Sequence, residues 1–269
     1  MDKALDFYIV SDSVGETSLR VVNASLAQFP ALSHSKLRRF PFIESETELL
    51  QVLDEAKQQQ AVVVATLVNP KFDEVAHNYA LTHDIIYINP INELINAISQ
   101  RTGYAPLERS GTLHTLDDFY FDRIQAIEFA VKYDDGKNRS GYPIADIVLL
   151  GISRSSKTPL SMYLANRSYK VANLPLFPES PVPDIVYDLP KEKVFGLIAS
   201  PQYTASIRKE RIKHLGLPED ASYSNIERIK EEYRYALDLY HQLGISIVNI
   251  ENKSIEELAE EILQIYEGH

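Results

Sequence analysis

ADIVLLGISRSSKTPLSMYLAN, residues 145–166, is the stretch of the sequence that decides the fold. Residues 147–150 form an unbroken run of β-branched and aliphatic side chains, which is typical of a strand buried on both faces of a parallel sheet. Gly151 ends this run, and the mostly apolar segment from Pro159 onward predicts a helix with proline in its first turn. We therefore predict a strand, a tight loop over residues 151–158 and a helix.

The predicted loop has the spacing of a phosphate-binding loop. Gly151 is followed by four residues and then by Ser156, Lys157 and Thr158, which matches G-x4-G-K-[ST] with serine at the second glycine position. Backbone N–H groups at a helix start, together with the positive end of the helix dipole, can bind phosphate oxygens. Lys157 is expected to reach the terminal phosphates, and the Thr158 hydroxyl to bind Mg²⁺. The expected nucleotide-binding residues are Gly151, Ile152, Ser153, Arg154, Ser155, Ser156, Lys157 and Thr158.

Arg154 adds a second cation to this loop. An arginine is suited to bidentate contact with phosphate and to the charge that develops during phosphoryl transfer. Ser156 is the departure from the pattern, because its Cβ disfavours a backbone conformation that glycine adopts freely. The alternative interpretation is an ordinary capped turn, rich in serine and threonine, between a strand and a helix.

Composition and charge limit the classes of function. The chain has 269 residues, no cysteine and a formal net charge of −11 at pH 7. This charge argues against a general nucleic-acid-binding protein, because phosphate backbones require a basic face. The lack of cysteine excludes disulfides, thiol catalysis and cysteine-ligated zinc, and it fits a reducing compartment. No signal peptide or membrane-spanning run is recognisable, so we expect a cytoplasmic protein with neither a membrane nor a nucleic-acid partner.

Strands and helices alternate through the N-terminal part of the chain. Apolar periodicity predicts strands at 6–10, 36–42, 61–67 and 85–88, and helices at 16–28, 46–59, 70–83 and 91–101. This alternation implies a parallel sheet with right-handed crossovers. Glycine and proline break the pattern between residues 103 and 115. We therefore predict an α/β protein with an N-terminal parallel-sheet region over 1–103, a linker over 104–116 and a phosphate-loop kinase region over 117–269.

The C-terminal part continues the alternation after the phosphate loop. The expected strands are 170–174, 194–199 and 245–250, and the expected helices are 117–131, a helix opened by Ser200-Pro201, 225–243 and 254–266. Ser254 and Glu257 have the spacing of a capping box at the last helix. Arg208 and Arg211, three residues apart on one helix face, could converge on a phosphate, although surface ion pairing is the commoner meaning of such a pair.

Three stretches resemble a known family. They are VSDSVGETSLRVVNASLAQF at 10–29, LHTLDDFYFDRIQAIEFAVKYDDG at 113–136 and ADIVLLGISRSSKTPLSMYLANR at 145–167. With these stretches in this order, nearly the whole chain resembles the pyruvate, phosphate dikinase regulatory proteins, a family of bacteria and plants that includes the phosphoenolpyruvate synthase regulatory proteins. Serine before the lysine is usual in that family, so Ser156 does not count against nucleotide binding. Tyr133 and Asn249 depart from the family's pattern, which often has histidine and aspartate at these positions.

The resemblance implies a bifunctional regulatory enzyme. One activity is an ADP-dependent serine/threonine kinase that inactivates the dikinase, or the synthase, by phosphorylating an active-site threonine. The other is a pyrophosphorylase that uses inorganic phosphate as co-substrate, reverses this modification and releases pyrophosphate. ADP, inorganic phosphate, Mg²⁺ and a homodimer are therefore expected. The residues themselves leave two alternatives open, a phosphate-loop kinase of a small metabolite and a non-catalytic adenine-nucleotide sensor.

Three carboxylates are candidates for an acid–base or metal-binding role. A threonine hydroxyl must lose its proton as it attacks, and a positioned carboxylate is the usual acceptor. Asp134 and Asp135 precede the phosphate-loop strand at a predicted helix end, although a solvated helix end is the commoner meaning of such a pair. Asp12 lies in the polar loop SDSVGETS, which could hold a phosphate or, as we favour, cap the next helix. We predict Asp135 as the base, Asp12 as the alternative base and Asp134 as a magnesium ligand.

Overall fold

The computed structural model describes residues 5–32, 34–112, 118–215 and 223–268. The chain divides into two compact units, Met1–Thr115 and Leu116–His269. The predicted linker over 104–116 and the predicted start of a helix at residue 117 fall partly on residues 113–117, which lie outside the described residues. The domain bounds taken from the sequence therefore stay a prediction.

The first unit is a parallel sheet with helices between its strands. The strands lie in the order β2-β1-β3-β4, and every pair of neighbours is parallel. Its elements are β1 (Phe7–Ser11), α1 (Glu16–Leu26), β2 (Leu37–Phe40), α2 (Glu46–Gln59), β3 (Val62–Thr66), α3 (Pro70–His83), β4 (Tyr87–Ile88) and α4 (Pro90–Thr102), with a 3₁₀ turn at Pro30–Leu32.

The second unit has a sheet of the same kind, with strand order β6-β5-β7-β8 and parallel neighbours throughout. Its elements are α5 (Asp118–Lys132), β5 (Ile147–Gly151), α6 (Lys157–Ala165), β6 (Val171–Pro175), β7 (Val194–Ile198), α7 (Pro201–Leu215), α8 (Ile226–Leu243), β8 (Ser246–Asn249) and α9 (Ile255–Glu267). Short 3₁₀ turns lie at Asp134–Gly136, Arg139–Ile144, Asp184–Val186 and Lys191–Lys193. The predicted α/β fold, with a parallel-sheet region and a phosphate-loop region, is confirmed.

Strand β5 lies in the interior of its sheet, between β6 and β7. Successive side chains of a strand point to opposite faces, and here both faces are covered. Ile147 and Leu149 belong to the apolar cluster that includes residues of α6 and α9, whereas Val148 and Leu150 belong to the cluster that includes residues of α8. The strand is buried along its whole length, so the prediction of a central, doubly covered strand is confirmed.

Local sequence signals set several helix ends as predicted. The bounds of α2 and α3 equal the predicted 46–59 and 70–83. Ser254 and Glu257 form the predicted capping box at α9. The strand predicted at 85–88 is shorter, because the Ile85 N–H donates to the carbonyl of Ala80 and closes the end of α3 instead of joining the sheet.

None of the helices in the described ranges is both long enough and apolar enough to cross a membrane.

Candidate phosphate-binding site

The loop between β5 and α6 turns tightly at the carboxyl end of β5. A Cβ placed on Gly151 would lie 2.2 Å from the Ser155 Oγ, so the close approach of these two residues requires glycine. Ser155 is buried, and its hydroxyl donates a hydrogen bond to the carbonyl of Ile152 at 2.9 Å. Because ligands of parallel α/β sheets bind at the carboxyl ends of the strands, this loop occupies the expected place for a ligand.

Two residues of this loop other than glycine have left-handed backbone. Arg154 has a φ of 70° and Ser156 a φ of 61°. Ser156 therefore takes the conformation that glycine would adopt at this position of the phosphate-loop pattern. Such a residue costs on the order of 1–3 kcal/mol and persists only where neighbouring contacts hold it. The loop is thus strained, and the contacts that hold it are part of the site.

Lys157 is the buried cation of the site. Its side chain is only 6% exposed, and Nζ donates to the carbonyl of Ile152 at 3.0 Å. Burial lowers the pKa of Lys157 to about 8, against the opposing effect of the carboxylates of Asp135 and Asp134. Desolvation disfavours the charged form of an amine, so a phosphate that binds beside this lysine would stabilise its cation.

A carboxylate and a hydroxyl meet beside the loop. The Thr158 Oγ1 donates to the Asp134 Oδ1 at 2.9 Å. The same Oδ1 accepts from the Nδ2 of Asn173 at 2.6 Å, and the Oδ1 of Asn173 accepts from the backbone N–H of Asp135 at 3.0 Å. Asn173 is fully buried in β6. Asp135 is exposed, as the interpretation of the pair as a solvated helix end expects, whereas Asp134 is half-buried and accepts two side-chain hydrogen bonds.

Asp134 and Thr158 present two oxygen atoms of the type that magnesium prefers. Mg²⁺ in phosphate-transferring sites usually has one or two protein oxygen ligands, with water and substrate phosphates completing the octahedron. Within the described residues no group of three or more histidine, cysteine, aspartate or glutamate side chains is placed to hold a metal. The oxygens of Asp134 and Thr158, 2.9 Å apart, are of the type that Mg²⁺ binds.

A cavity of about 580 Å³ opens at the loop. Its lining combines the polar loop with an acidic residue and several apolar side chains. The lining residues are Asp135, Ser153, Arg154, Ser155, Ser156, Lys157, Thr158, Pro159, Pro175, Phe177 and Ile207. The structure thus brings Asp135, Arg154 and Lys157, three of the four predicted catalytic residues, to one cavity.

Arg208 and Tyr223 hold the outer part of the loop. Arg208 on α7 is 1% exposed and pairs with Glu232 on α8. Its Nη2 donates to the carbonyl of Ser153 at 3.2 Å and its Nη1 to the carbonyl of Tyr223 at 3.1 Å. The guanidinium also lies 4.9 Å from the centre of the Tyr223 ring. The expectation that Arg208 is a surface residue is wrong. The side chain is buried, and it contacts Glu232 and the carbonyl groups of Ser153 and Tyr223.

Asp12, the alternative base, belongs to the first unit. Its Oδ2 accepts from the backbone N–H groups of Val68 and Asn69, both at 2.9 Å, and so joins the loops that follow β1 and β3. Gly15 is the N-cap residue of α1, and no side chain caps the helix from that position. From the sequence we favour this polar loop as the source of a side-chain cap for α1. This prediction is wrong at the N-cap position, because glycine has no side chain.

Comparison with known proteins identifies the family to which this chain belongs. The family described as kinase/pyrophosphorylase matches residues 7–263, which include both sheets and the phosphate loop. The chain belongs to the kinase/pyrophosphorylase family. The two activities in this description are transfers of phosphoryl groups, so the chain is a phosphotransferase.

Relatives of the kinase/pyrophosphorylase family align along almost the full chain. A putative pyruvate, phosphate dikinase regulatory protein 2 of Staphylococcus epidermidis is 48% identical over 258 residues, which are 96% of this chain and 95% of that protein. A putative pyruvate, phosphate dikinase regulatory protein of Streptococcus gordonii is 45% identical over 259 residues, 96% of each. A putative regulatory protein 2 of the same name from Listeria welshimeri is 44% identical over 265 residues, 98% of each.

Sequence reasoning overlooked two residues that organise this site. Asn173 had a usable signal, because it is a polar residue inside the apolar run of β6, and buried polar groups are hydrogen-bonded. Tyr223 had none, since it lies in a turn before α8 and no periodic pattern includes it. Its contacts join it to Ser153 and Arg154, 70 and 69 positions away in the chain.

Proposed function

We propose that this chain is a regulatory enzyme that acts in both directions on pyruvate, phosphate dikinase or its homologue phosphoenolpyruvate synthase. In one direction it transfers the β-phosphoryl group of ADP to a threonine hydroxyl of the target and leaves AMP. In the other, inorganic phosphate attacks the phosphothreonine and leaves as pyrophosphate. The observation that carries the proposal is one cavity bordered by both cations of the loop, Lys157 and Arg154, and by the carboxylate of Asp135. The names of the relatives supply the target.

Both directions pass through a crowded array of phosphoryl oxygens. Catalysis of phosphoryl transfer is mainly positioning and charge stabilisation. In the proposed mechanism the backbone N–H groups at the start of α6 and the Nζ of Lys157 bind the oxygens of the transferred group. Arg154 stabilises the charge that develops between donor and acceptor. Because this charge is similar in both directions, one set of residues serves both.

Asp135 is the proposed proton acceptor. In the kinase direction its carboxylate takes the proton of the threonine hydroxyl as the oxygen attacks, and in the reverse direction it returns that proton to the leaving oxygen. Its place on the cavity wall supports this role. Asp12 is the weaker candidate, because one of its carboxylate oxygens accepts two backbone hydrogen bonds that join two loops.

The hydroxyl of Thr158 and the carboxylate of Asp134 are the proposed protein ligands of Mg²⁺, which when bound would neutralise phosphate charge. Asn173 holds the Asp134 carboxylate in place from within β6.

We further propose that the enzyme is a cytoplasmic homodimer. A cytoplasmic location agrees with a sequence that has no cysteine. The homodimer follows from the family resemblance. Light scattering at working concentration should give twice the chain mass of 30.5 kDa. A mass equal to that of one chain would contradict the dimer.

One experiment tests the function and separates it from its alternatives. The purified chain is incubated with β-labelled ADP, Mg²⁺ and either the dikinase or the synthase, and label on a target threonine is measured. Addition of inorganic phosphate should then release the label as pyrophosphate. Label on a small acceptor without any protein target would indicate a metabolite kinase. Tight ADP binding without transfer to either target would indicate a sensor.

A further inference from the structure

Phe177 is an exposed aromatic residue beside the phosphate loop. Its side chain is 43% exposed, although it lies two residues beyond the buried strand β6. It lines the phosphate-loop cavity and also a neighbouring cavity of about 530 Å³, which shares Ser153 with the first. A ligand that extends from the loop into either cavity would therefore contact the Phe177 side chain.

The backbone fixes Phe177 relative to the loop. The N–H of Leu176 donates to the carbonyl of Gly151 at 2.9 Å, and the Leu176 side chain is 1% exposed in the apolar core. On the other side, the N–H of Ser180 donates to the carbonyl of Phe177 at 3.0 Å and closes a turn. Phe177 is therefore one residue away from a hydrogen bond to the first residue of the phosphate loop, in a position that two backbone contacts define.

The side chains that line the phosphate-loop cavity include two kinds, cationic and apolar. The lining includes the loop cations Arg154 and Lys157, and it also includes the apolar side chains of Pro175, Phe177 and Ile207. A phosphate or pyrophosphate needs only the cations and the backbone N–H groups of the loop. A cavity of about 580 Å³ lies within the size range of organic-ligand pockets, roughly 300–1,000 Å³. The combination of cations with an exposed aromatic ring matches a nucleoside diphosphate, which carries both phosphates and a base.

We propose that the Phe177 ring stacks on the nucleobase of the phosphoryl donor, and that Phe177 is a specificity-determining residue for the ADP-dependent direction alone. This inference rests on the function proposed above. In that direction the donor carries a base. In the reverse direction inorganic phosphate attacks phosphothreonine and pyrophosphate leaves, and no base is present. The Phe177 ring is therefore used in one direction only.

The test compares ligands that have and lack a base. Isothermal titration with ADP and with pyrophosphate is carried out on the full chain and on Phe177→Ala, Phe177→Tyr and Phe121→Ala. Phe121 on α5 is 54% exposed and does not line the cavity, so it is the matched control for loss of an exposed ring. Base–aromatic stacking is strong enough that we expect Phe177→Ala to weaken ADP binding roughly tenfold or more.

Pyrophosphate affinity should stay within about twofold of that of the unaltered chain in all three variants, since stacking needs a base. Phe177→Tyr keeps the ring face and should retain ADP affinity. In turnover, Phe177→Ala should raise the KM for ADP in the kinase direction and leave the KM for inorganic phosphate unchanged.

Three results would overturn the inference. Unchanged ADP affinity in Phe177→Ala would show that the ring does not stack on the base. Equal losses for ADP and pyrophosphate would mean that the residue only shapes the loop. A raised KM for the target protein in both directions, with normal ADP binding, would assign Phe177 to protein docking. In each of these cases the unaltered chain still transfers phosphate, whereas failure of the unaltered chain to bind or use ADP would refute the proposed function itself.

Discussion

The hydroxyl oxygen of Tyr223 accepts a hydrogen bond from the Nε of Arg154 at 3.0 Å. The same hydroxyl lies 3.1 Å from the Oγ of Ser153. Arg154 is an exposed residue with left-handed backbone, so its side chain would otherwise have no fixed direction. The contact with Tyr223 orients the only loop cation that is not held by burial, and it gives a structural reason for the strained backbone to persist.

Replacement of Tyr223 by phenylalanine removes this hydroxyl and keeps the ring. We expect the affinity for pyrophosphate to fall roughly fivefold, which corresponds to a net hydrogen bond of about 1 kcal/mol. The loss should disappear in an Arg154→Ala background, because the hydroxyl then has no cation to orient. Isothermal titration of the two single variants and the double variant measures this coupling.

Tyr163→Phe is the matched control, since the Tyr163 hydroxyl accepts from the Nη2 of Arg167 at 3.3 Å and Tyr163 does not line the cavity. It should leave pyrophosphate affinity unchanged. Additive losses in the Tyr223→Phe, Arg154→Ala double variant would rule out orientation of Arg154 by Tyr223.

The buried ion pair between Arg208 and Glu232 predicts a stability effect. Within the described ranges, Arg208→Met leaves the buried carboxylate of Glu232 with the longer contact to the Nε of Arg228, at 3.6 Å. Removal of one partner of a buried pair typically costs about 3–5 kcal/mol, because a charge stays buried without compensation. Urea denaturation should show a loss of this size in the free energy of unfolding.

Arg211→Met, three residues further along α7, is the control, because Arg211 is exposed. Arg211→Met should change the free energy of unfolding by no more than about 0.5 kcal/mol. A loss below about 1 kcal/mol in Arg208→Met would mean that solvent reaches Glu232 and that the pair does not hold the loop.

The lowered pKa of Lys157 predicts opposite effects of pH on ligand affinity and on stability. Its folded-state pKa is about 8, below the ordinary value of 10.5. The cation that binds phosphate is therefore lost as pH rises through 8, and ADP affinity should fall by up to about tenfold per pH unit above it. Phosphate groups are already fully ionised there. Titrations from pH 7 to 10 measure this fall.

The ligand-free protein should show the reverse trend. Between pH 8 and 10.5 the unfolded chain binds more protons at Lys157 than the folded chain does, so this residue's contribution to the free energy of unfolding rises with pH. The difference between the unaltered chain and Lys157→Met isolates that contribution from other groups. If Lys157→Met showed the same pH profile of ADP affinity, another group would be responsible.

Asp135→Asn tests the proposed base. We expect kinase turnover to fall by at least ~10²-fold while ADP affinity stays nearly unchanged, because a lost proton acceptor affects the chemical step and not the binding of the donor. Rapid-mix measurement of threonine phosphorylation at saturating ADP gives the rate of that step.

Asp12→Asn is the comparison, and it should act mainly on stability through the two N–H groups that its carboxylate accepts from. Near-normal turnover in Asp135→Asn, together with a large loss in a stably folded Asp12→Asn, would transfer the role of base to Asp12.

The sequence by itself determined the elements that are contiguous along the chain. The buried strand β5, the phosphate loop with Lys157 and the bounds of α2 and α3 follow from local periodicity, glycine placement and helix capping, which act over a few residues. The left-handed backbone of Ser156 was not predicted, because its Cβ disfavours the conformation that glycine adopts at that place in the pattern.

Only the tertiary structure decided which distant residues complete the site. Thr158 meets Asp134 across 24 positions, Asn173 meets Asp134 across 39, and Tyr223 meets Arg154 across 69. Arg208 is buried and can contact the loop because α7 and α8 pack together, which pairs Arg208 with Glu232. These contacts depend on strand order and helix packing, which arise from burial of apolar surface between elements far apart in the chain. No local pattern contains that information, because burial is a property of the whole fold.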